Sequence, residues 1–319
     1  MKKVIVLVLL GATLAPVPAE VPKSGLAQAD AALQSGEADR ALSLLNAMPG
    51  SAEVHNLRCR VYFTLERWDE AASECGQAVR LDGGSEVNHL WLGRALGEKA
   101  DNASFLSAFS LAKRARAEFE QAVNLDPRDG EALTDLGEFY TAAPGVVGGG
   151  VDKAQTLVGP LEKVDPARAH VLLGRIAGAH NDLGTVEHEY KMAIASSEHP
   201  AFSWMNLASF YRKHERWDDM EKAVENGYRA VEHDQKAGVA LYNGASVLIK
   251  ANRNLALARK MLEEYLASYP RTEEGPAFEA YTRLAKVNAQ LGDTNGAWQA
   301  RAEALKLAHD YKPALGLKF

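Results

Sequence analysis

Apolar residues along this chain recur three and four positions apart in bursts of about a dozen, divided by short polar corners. The stretch Ala52–Asp82 is representative. Leu57, Cys59, Val61, Tyr62 and Leu65 mark one face of a first helix. Ala71, Cys75, Ala78, Val79 and Leu81 mark a second, and the corner Glu66-Arg67-Trp68-Asp69-Glu70 lies between them. Helices this short are marginal alone in water, so each must bury its stripe against a neighbour.

The same phrase returns along the chain. Ala41, Ala71, Ala115, Ala154, Ala258 and Ala297 open successive second helices, with Val186 and Met220 at two further equivalent points. Upstream of each, a small residue stands where two helices would cross: Ala29, Cys59, Gly93, Gly137, Gly174, Ala208, Gly244 and Ala285. Units close on Leu81-Asp82, Leu125-Asp126-Pro127 and Val164-Asp165-Pro166, and proline halts a helix there because it lacks an amide hydrogen. Small, large and aromatic positions repeating together at a period near 34 resemble the tetratricopeptide repeat (TPR) family, in an exported bacterial form. That resemblance implies an all-α fold, a right-handed α-solenoid of about eight antiparallel helix pairs, each buried only against its neighbours.

On this reading the solenoid fills residues 20–311, with units near 24–49, 52–83, 85–127, 130–166, 167–198, 200–235, 237–270 and 277–309, and a tail at 312–319. The first unit has a clipped second helix. The third exceeds the others by about ten residues, and Phe105, Ala108, Phe109, Ala112, Ala115, Phe119 and Ala122 keep helical spacing through the extra length. One long helix projecting beyond its neighbours is expected, with Phe105 and Phe109 as a protein contact. The fourth unit carries Ala143-Pro144-Gly145-Val146-Val147-Gly148-Gly149-Gly150 between its helices, read as a flexible elbow.

Composition changes the picture at the amino terminus. Lys2 and Lys3, an apolar run from Val4 to Ala15 and the small residues Val17-Pro18-Ala19 form a secretory leader cleaved after Ala19. The run is too short to span a bilayer. The expected product is periplasmic or secreted, without stable insertion in a membrane. The net charge of −6 argues against nucleic acid as a partner. In an exported chain the two cysteines, Cys59 and Cys75, face the inside of one helix pair. They are either bridged or two small buried thiols, depending on where the turn between them centres.

Candidate chemistry is sparse. Gly145 and Gly150 have the offset of a phosphate-binding loop, but Val151-Asp152 stands where that loop needs Lys followed by Ser or Thr. His180, His188 and His199 lack metal-ligand spacing. No catalytic residue, cofactor or metal is expected. Trp68 and Trp217 share one repeat position and read as packing.

What remains is the concave face. The family resemblance implies that exposed positions on each first helix contact peptides, which projects Asn56, Arg60, Phe63, Leu90, Arg94, Thr134, Glu138, Arg175, Met205, Ser209, Arg212 and Lys286 inward. Arg60, Arg94, Arg175 and Lys286 occupy one repeat position, and with Arg212 they form a candidate groove for carboxylate-rich or extended segments. The alternative is that these cations are bonded to neighbouring Glu or Asp. The expected function is a non-enzymatic scaffold for a protein or peptide partner, in an envelope assembly or maturation complex. Two other readings are a ligand pocket or enzyme site near Gly148–Gly150, and a spacer that self-associates through Phe105–Leu111.

Overall fold

The computed structural model describes residues 23–319, so the leader expected at 1–19 lies outside the described residues. Helices follow one another in antiparallel pairs. The first three are α1 (Lys23–Gln34) with α2 (Ala38–Asn46), α3 (Ala52–Thr64) with α4 (Trp68–Leu81), and α5 (Glu86–Asp101) with α6 (Phe105–Leu125). Next come α7 (Gly130–Ala142) with α8 (Val151–Val164), and α9 (Pro166–Ala179) with α10 (Leu183–Ser196). The last three are α11 (Pro200–Lys213) with α12 (Trp217–Val231), α13 (Val239–Ala251) with α14 (Leu255–Ser268), and α15 (Ala277–Gln290) with α16 (Thr294–Leu307). A final turn, α17 (Lys312–Leu315), follows. The fold is an all-α solenoid, with no strand among the described residues.

The turns within five of the eight pairs follow one rule. Gly36, Glu66, Asn181, Glu215 and Gly292 each stand five residues before the aligned second-helix residue, and each has positive φ. The next amide donates back across the turn: Glu37 to Ala32, Arg67 to Tyr62, Asp182 to Ala177, Arg216 to Tyr211 and Asp293 to Asn288. Such a left-handed residue satisfies a carbonyl left over at the helix end and reverses the chain in few residues. Starts are capped too, Ser51 accepting from the Val54 amide and Asp165 from that of Arg168.

Small residues at the crossings let the helices approach closely. A Cβ on Gly93 would lie 2.6 Å from the Phe119 ring, and one on Gly174 would lie 2.5 Å from the Tyr190 ring. Cys59 and Cys75 occupy one such crossing. They are fully buried and joined as a disulfide, with Cα atoms 5.2 Å apart.

The two ends of the solenoid meet, and nothing in the repeat pattern signals it. Phe278 and Tyr311 share a buried cluster with Ala29, Leu33, Leu45 and Leu65. Gly36, in the α1–α2 turn, abuts the start of α15 so closely that a Cβ would lie 2.3 Å from the Ala277 nitrogen. Arg67 donates to Asp310 at 2.9 Å, Tyr311 to Glu66 at 3.1 Å and the His309 amide to Asp39 at 2.9 Å. The connection from α14 to α15 also reaches the first pairs, where Arg60 donates twice to Glu273, at 2.9 and 2.6 Å.

The irregular units depart from the rest as follows. The extra length of the third unit is one continuous helix, α6, whose first turn leaves Phe105 75% and Leu106 84% exposed. The glycine segment is packed, correcting the expectation of a flexible elbow. Val147, Gly148 and Gly149 are buried, the Gly150 amide donates to the Tyr140 carbonyl at 2.8 Å, and Lys153 Nζ donates to the Gly148 carbonyl at 2.8 Å. Gly148 lies against the Arg116 guanidinium, so close that a Cβ would meet it at 1.8 Å. The tail folds over the last pair, with Phe319 edge-on to Trp298 and Arg301 donating to the Ala314 carbonyl.

Candidate peptide-binding groove

The first helices of successive pairs turn one face towards the inside of the curve. Between α7 and α15 this face encloses a cavity of about 1060 Å³. A second, of about 600 Å³, lies over α5, α6 and α7 beside Pro144 and Val147. Glu274, from the α14–α15 connection, lines both, so that connection stands between them.

The arginine row resolves into residues with different fates. Arg60 is engaged by Glu273, with Asp30 3.5 Å away. Burial opposes its charge, but Glu273 and Asp30 outweigh it and hold the guanidinium more firmly protonated than usual. Arg94 bonds Asp135 at 2.5 Å and Glu131 at 3.0 Å, and both Arg94 and Arg60 lie over the Trp91 ring, at 4.7 and 5.4 Å. Arg175 donates to Glu138, yet its Nε is buried without a partner. Arg212 lines the larger cavity, and its guanidinium has no ion pair or hydrogen-bonding partner among the described residues. Lys286 is exposed and does not line the cavity.

Three positions projected inward are instead buried. Asn56 donates to the Asn88 side chain at 3.1 Å, while Leu90 and Met205 belong to the core. Met205 still contributes to the cavity floor. Phe63, Thr134, Glu138 and Ser209 line one cavity or the other. Phe105 and Phe109 pack edge-to-face at 4.8 Å on the projecting tip of α6, apart from both cavities.

The repeat alignment misses Lys250 and Arg283. They lie at different repeat positions from the arginine row, Lys250 six residues after Gly244 and Arg283 two before Ala285. Arg283 bonds Glu279 and stacks on Tyr242 at 4.2 Å. Lys250 faces the cavity with no bonded partner among the described residues. Lys250 is exposed overall, yet the partial desolvation of its ammonium, reinforced by Arg283 and Arg212, pushes it below the ordinary lysine range. A signal for this wall exists in the sequence: α9, α11 and α13 contain no carboxylate at all. Of their cations, Arg168, Arg175, Arg212 and Lys250 line the cavity and Lys213 does not. By contrast α7 carries Glu131, Asp135 and Glu138. The concave wall is therefore polarised, acidic towards α7 and cationic towards α13.

Asp39, His309 and Asp310 bring possible metal-ligand atoms within 4.8 Å of one another, all on the seam between the ends. Seam contacts already use them, His309 Nδ1 lying 2.8 Å from Asp39 and Asp310 accepting from Arg67. No helix of the described residues is long and apolar enough to cross a membrane.

Among solved structures, the chain is similar to the crystal structure of a thermophilic TPR protein from Thermus thermophilus. The TM-score is 0.50 at 16% identity, over 59% of this chain and 97% of that one. That likeness shows a TPR-like fold. No protein-family model matches the chain, and no curated protein is similar to it.

Proposed function

We propose that the protein is an exported, non-enzymatic interaction scaffold that holds an extended peptide segment of a partner protein in its concave groove. The observation carrying this reading is the cavity of about 1060 Å³, walled by the inner helices of five successive pairs and lined by polar side chains such as Asn206, Ser209 and Asn243. Such a surface draws on five successive repeats, which suits a chain that runs from one repeat to the next. Export is supported by the leader sequence and by the buried Cys59–Cys75 pair, which suits an oxidising compartment. Work in an envelope assembly or maturation complex belongs to the same proposal.

Selection of peptides from a random library tests it. Peptides selected on the wild-type chain should lose binding to Ser209→Trp, which fills the groove from an exposed position on α11. Equal binding by both proteins would place recognition elsewhere. The exposed Phe105 and Leu106 favour a second contact, at the tip of α6, with another protein or a second copy of the chain.

A further inference from the structure

We propose that the smaller cavity, over α5, α6 and α7, is a site for an aliphatic polyamine, its ammonium groups meeting Glu98, Asp101 and Glu274 and its methylene chain lying on Phe63, Trp91 and Phe139. The proposal goes beyond the peptide reading, which concerns the larger cavity, and does not depend on it.

The case begins with charge. Six carboxylates line this cavity against one cation, Arg94. Arg94 holds Asp135, while Arg60 and Arg175, from outside the lining, engage Glu273 and Glu138. The carboxylates of Glu98, Asp101 and Glu274 are left with no ion pair or hydrogen-bonding side chain among the described residues. Glu98 and Asp101 lie in the last turn of α5, where the free carbonyls of the helix end also favour a positive charge. The lysine of that turn, Lys99, is bonded to Asp69 at 2.8 Å and does not line the cavity. Desolvation, with Asp101 and Glu66 nearby, pushes the Glu98 carboxyl above its ordinary range. Glu274 is exposed overall, yet partial desolvation of its carboxyl, reinforced by Glu131 and Glu273, raises it as well. The chain therefore leaves a negative field in a partly enclosed space, and a ligand with several positive charges relieves it through charge-assisted hydrogen bonds.

Charge alone would suit any cation; the walls select an organic one. Phe63 packs edge-on to Trp91 at 5.4 Å, and Phe119 lies beside Phe139 at 6.3 Å. Arg94 and Arg60 already lie over the Trp91 ring, so this wall accepts organic cations from the chain itself. Pro144 and Val147 complete the rim. They are held before any ligand arrives, because the Val147 and Gly149 amides both donate to the Pro144 carbonyl, at 3.0 and 3.2 Å. Gly97 opens the lining further. A Cβ there would meet no atom within 4 Å, and its backbone is ordinary helix within α5. Glycine weakens a helix interior relative to alanine, and neither packing nor backbone asks for one at this position; the space it leaves belongs to the cavity. The volume of about 600 Å³ is that of a small-molecule site, for which roughly 300–1,000 Å³ is usual. A polyamine alternates ammonium groups with apolar methylene runs, which matches acids set on two elements, α5 and the α14–α15 connection, with aromatic surface around them.

Isothermal titration calorimetry of the full chain with spermidine tests the proposal, against cadaverine, the neutral diol of the same chain length as cadaverine, magnesium chloride and hexalysine. Spermidine should bind several-fold tighter than cadaverine, and the diol should not bind. Glu98→Gln and Glu274→Gln should each weaken spermidine several-fold and together by roughly tenfold or more. Gly97→Leu, which fills the space beside α5, should abolish binding. The glutamine variants should melt no lower than wild type, because each removes an uncompensated charge, which separates lost recognition from lost folding. Spermidine binding that is no tighter than that of the diol, or that survives the double substitution, overturns the assignment. Magnesium binding as tightly as spermidine, and lost in the same variants, would overturn it in favour of a plain cation site. Hexalysine binding where spermidine does not would overturn it in favour of a basic peptide. Ser209→Trp, in the larger cavity, should abolish library-peptide binding and leave spermidine unaffected, so either reading can fail without the other.

Discussion

The contact between Arg60 and Glu273 carries a sharp energetic prediction, because it joins residues far apart in sequence at the seam where the two ends of the solenoid meet. Both side chains are largely buried, at 17% and 14% exposure, and the guanidinium makes two hydrogen bonds to one carboxylate. At an effective dielectric near 20, opposite charges 4 Å apart attract by about 4 kcal/mol, much of which offsets desolvation. Removing one member of a buried pair typically costs about 3–5 kcal/mol, because the other is left charged and alone. Residual solvent access and the alternative donor Gln34, 3.3 Å from Glu273, reduce that here. Arg60→Met should therefore destabilise the chain by about 2–4 kcal/mol. The double substitution Arg60→Met with Glu273→Gln leaves no orphaned charge and should return to within about 1 kcal/mol of wild type. Urea unfolding followed by far-ultraviolet circular dichroism measures all four proteins. Hydrogen exchange in the single variant should rise first in α1, α3 and the start of α15, as the seam opens. A coupling energy near zero, with the double variant as unstable as the sum of the singles, would falsify the view that this pair closes the ring.

Other perturbations probe other levels of the fold. Glu215 is an exposed residue with φ of 56° at a turn position that Gly36 and Gly292 fill elsewhere; Glu215→Gly should raise stability in urea by about 0.5–1 kcal/mol, the left-handed cost less glycine's entropic penalty, and a lower midpoint would refute this. Burial and the neighbouring Asp129 carboxyl push Glu86 up to about 7, so its contribution is present below its unfolded value near 4.3 and lost as pH rises through 7; the gain in melting temperature from Glu86→Gln should be larger at pH 8 than at pH 4.5, and an equal gain at both would contradict it. Replacing Cys59 and Cys75 by alanine opens a loop with a sequence separation of 16 and should cost about 3 kcal/mol; a loss under 1 kcal/mol by denaturant titration would show that the bond is not what holds α3 to α4. If the α6 tip is a self-association surface, light scattering should show a wild-type oligomer that Phe105→Ser with Phe109→Ser converts to monomer, and two monomers would remove that role.

The helix pairs were legible because their determinants are local and repeat. Gly93 under Phe119 and Gly174 under Tyr190 are small for a packing reason that recurs at every crossing, so alignment finds them. The unbroken spacing from Phe105 to Ala122 likewise foretold one long helix, α6. Ring closure was not legible, since it depends on the accumulated rotation over eight pairs, which no single repeat encodes. The packing of Val147 to Gly149 escaped for a related reason: glycine content suggests freedom, and what removes it is Arg116, from a different helix. The groove was legible in part. Arg94 lines the smaller cavity and Arg60 neither, and the carboxylates that engage them come from the α14–α15 connection and from α7.

Those partners explain how arginines at one repeat position come to serve different ends. Arg60, Arg94 and Arg175 are equivalent within their helices, and each meets an acid because the α14–α15 connection supplies Glu273 and the adjacent inner helix α7 supplies Asp135 and Glu138. Beside α11 and α13, Glu279 of α15 is already held by Arg283, and the side chains of Arg212 and Lys250 have no ion-pair partner among the described residues. Closure also sets what the groove can do. With the ends joined, the curvature is fixed before any ligand arrives, so binding carries a smaller ordering cost than in an open, flexing solenoid. The connection bearing Glu273 and Glu274 then divides the concave space, committing Arg60 and Arg94 on the α3–α7 side to intrachain pairs and leaving the α9–α15 side open. Repeat position decides only which residues face inward; what stands across from each decides whether it closes the ring or meets a partner.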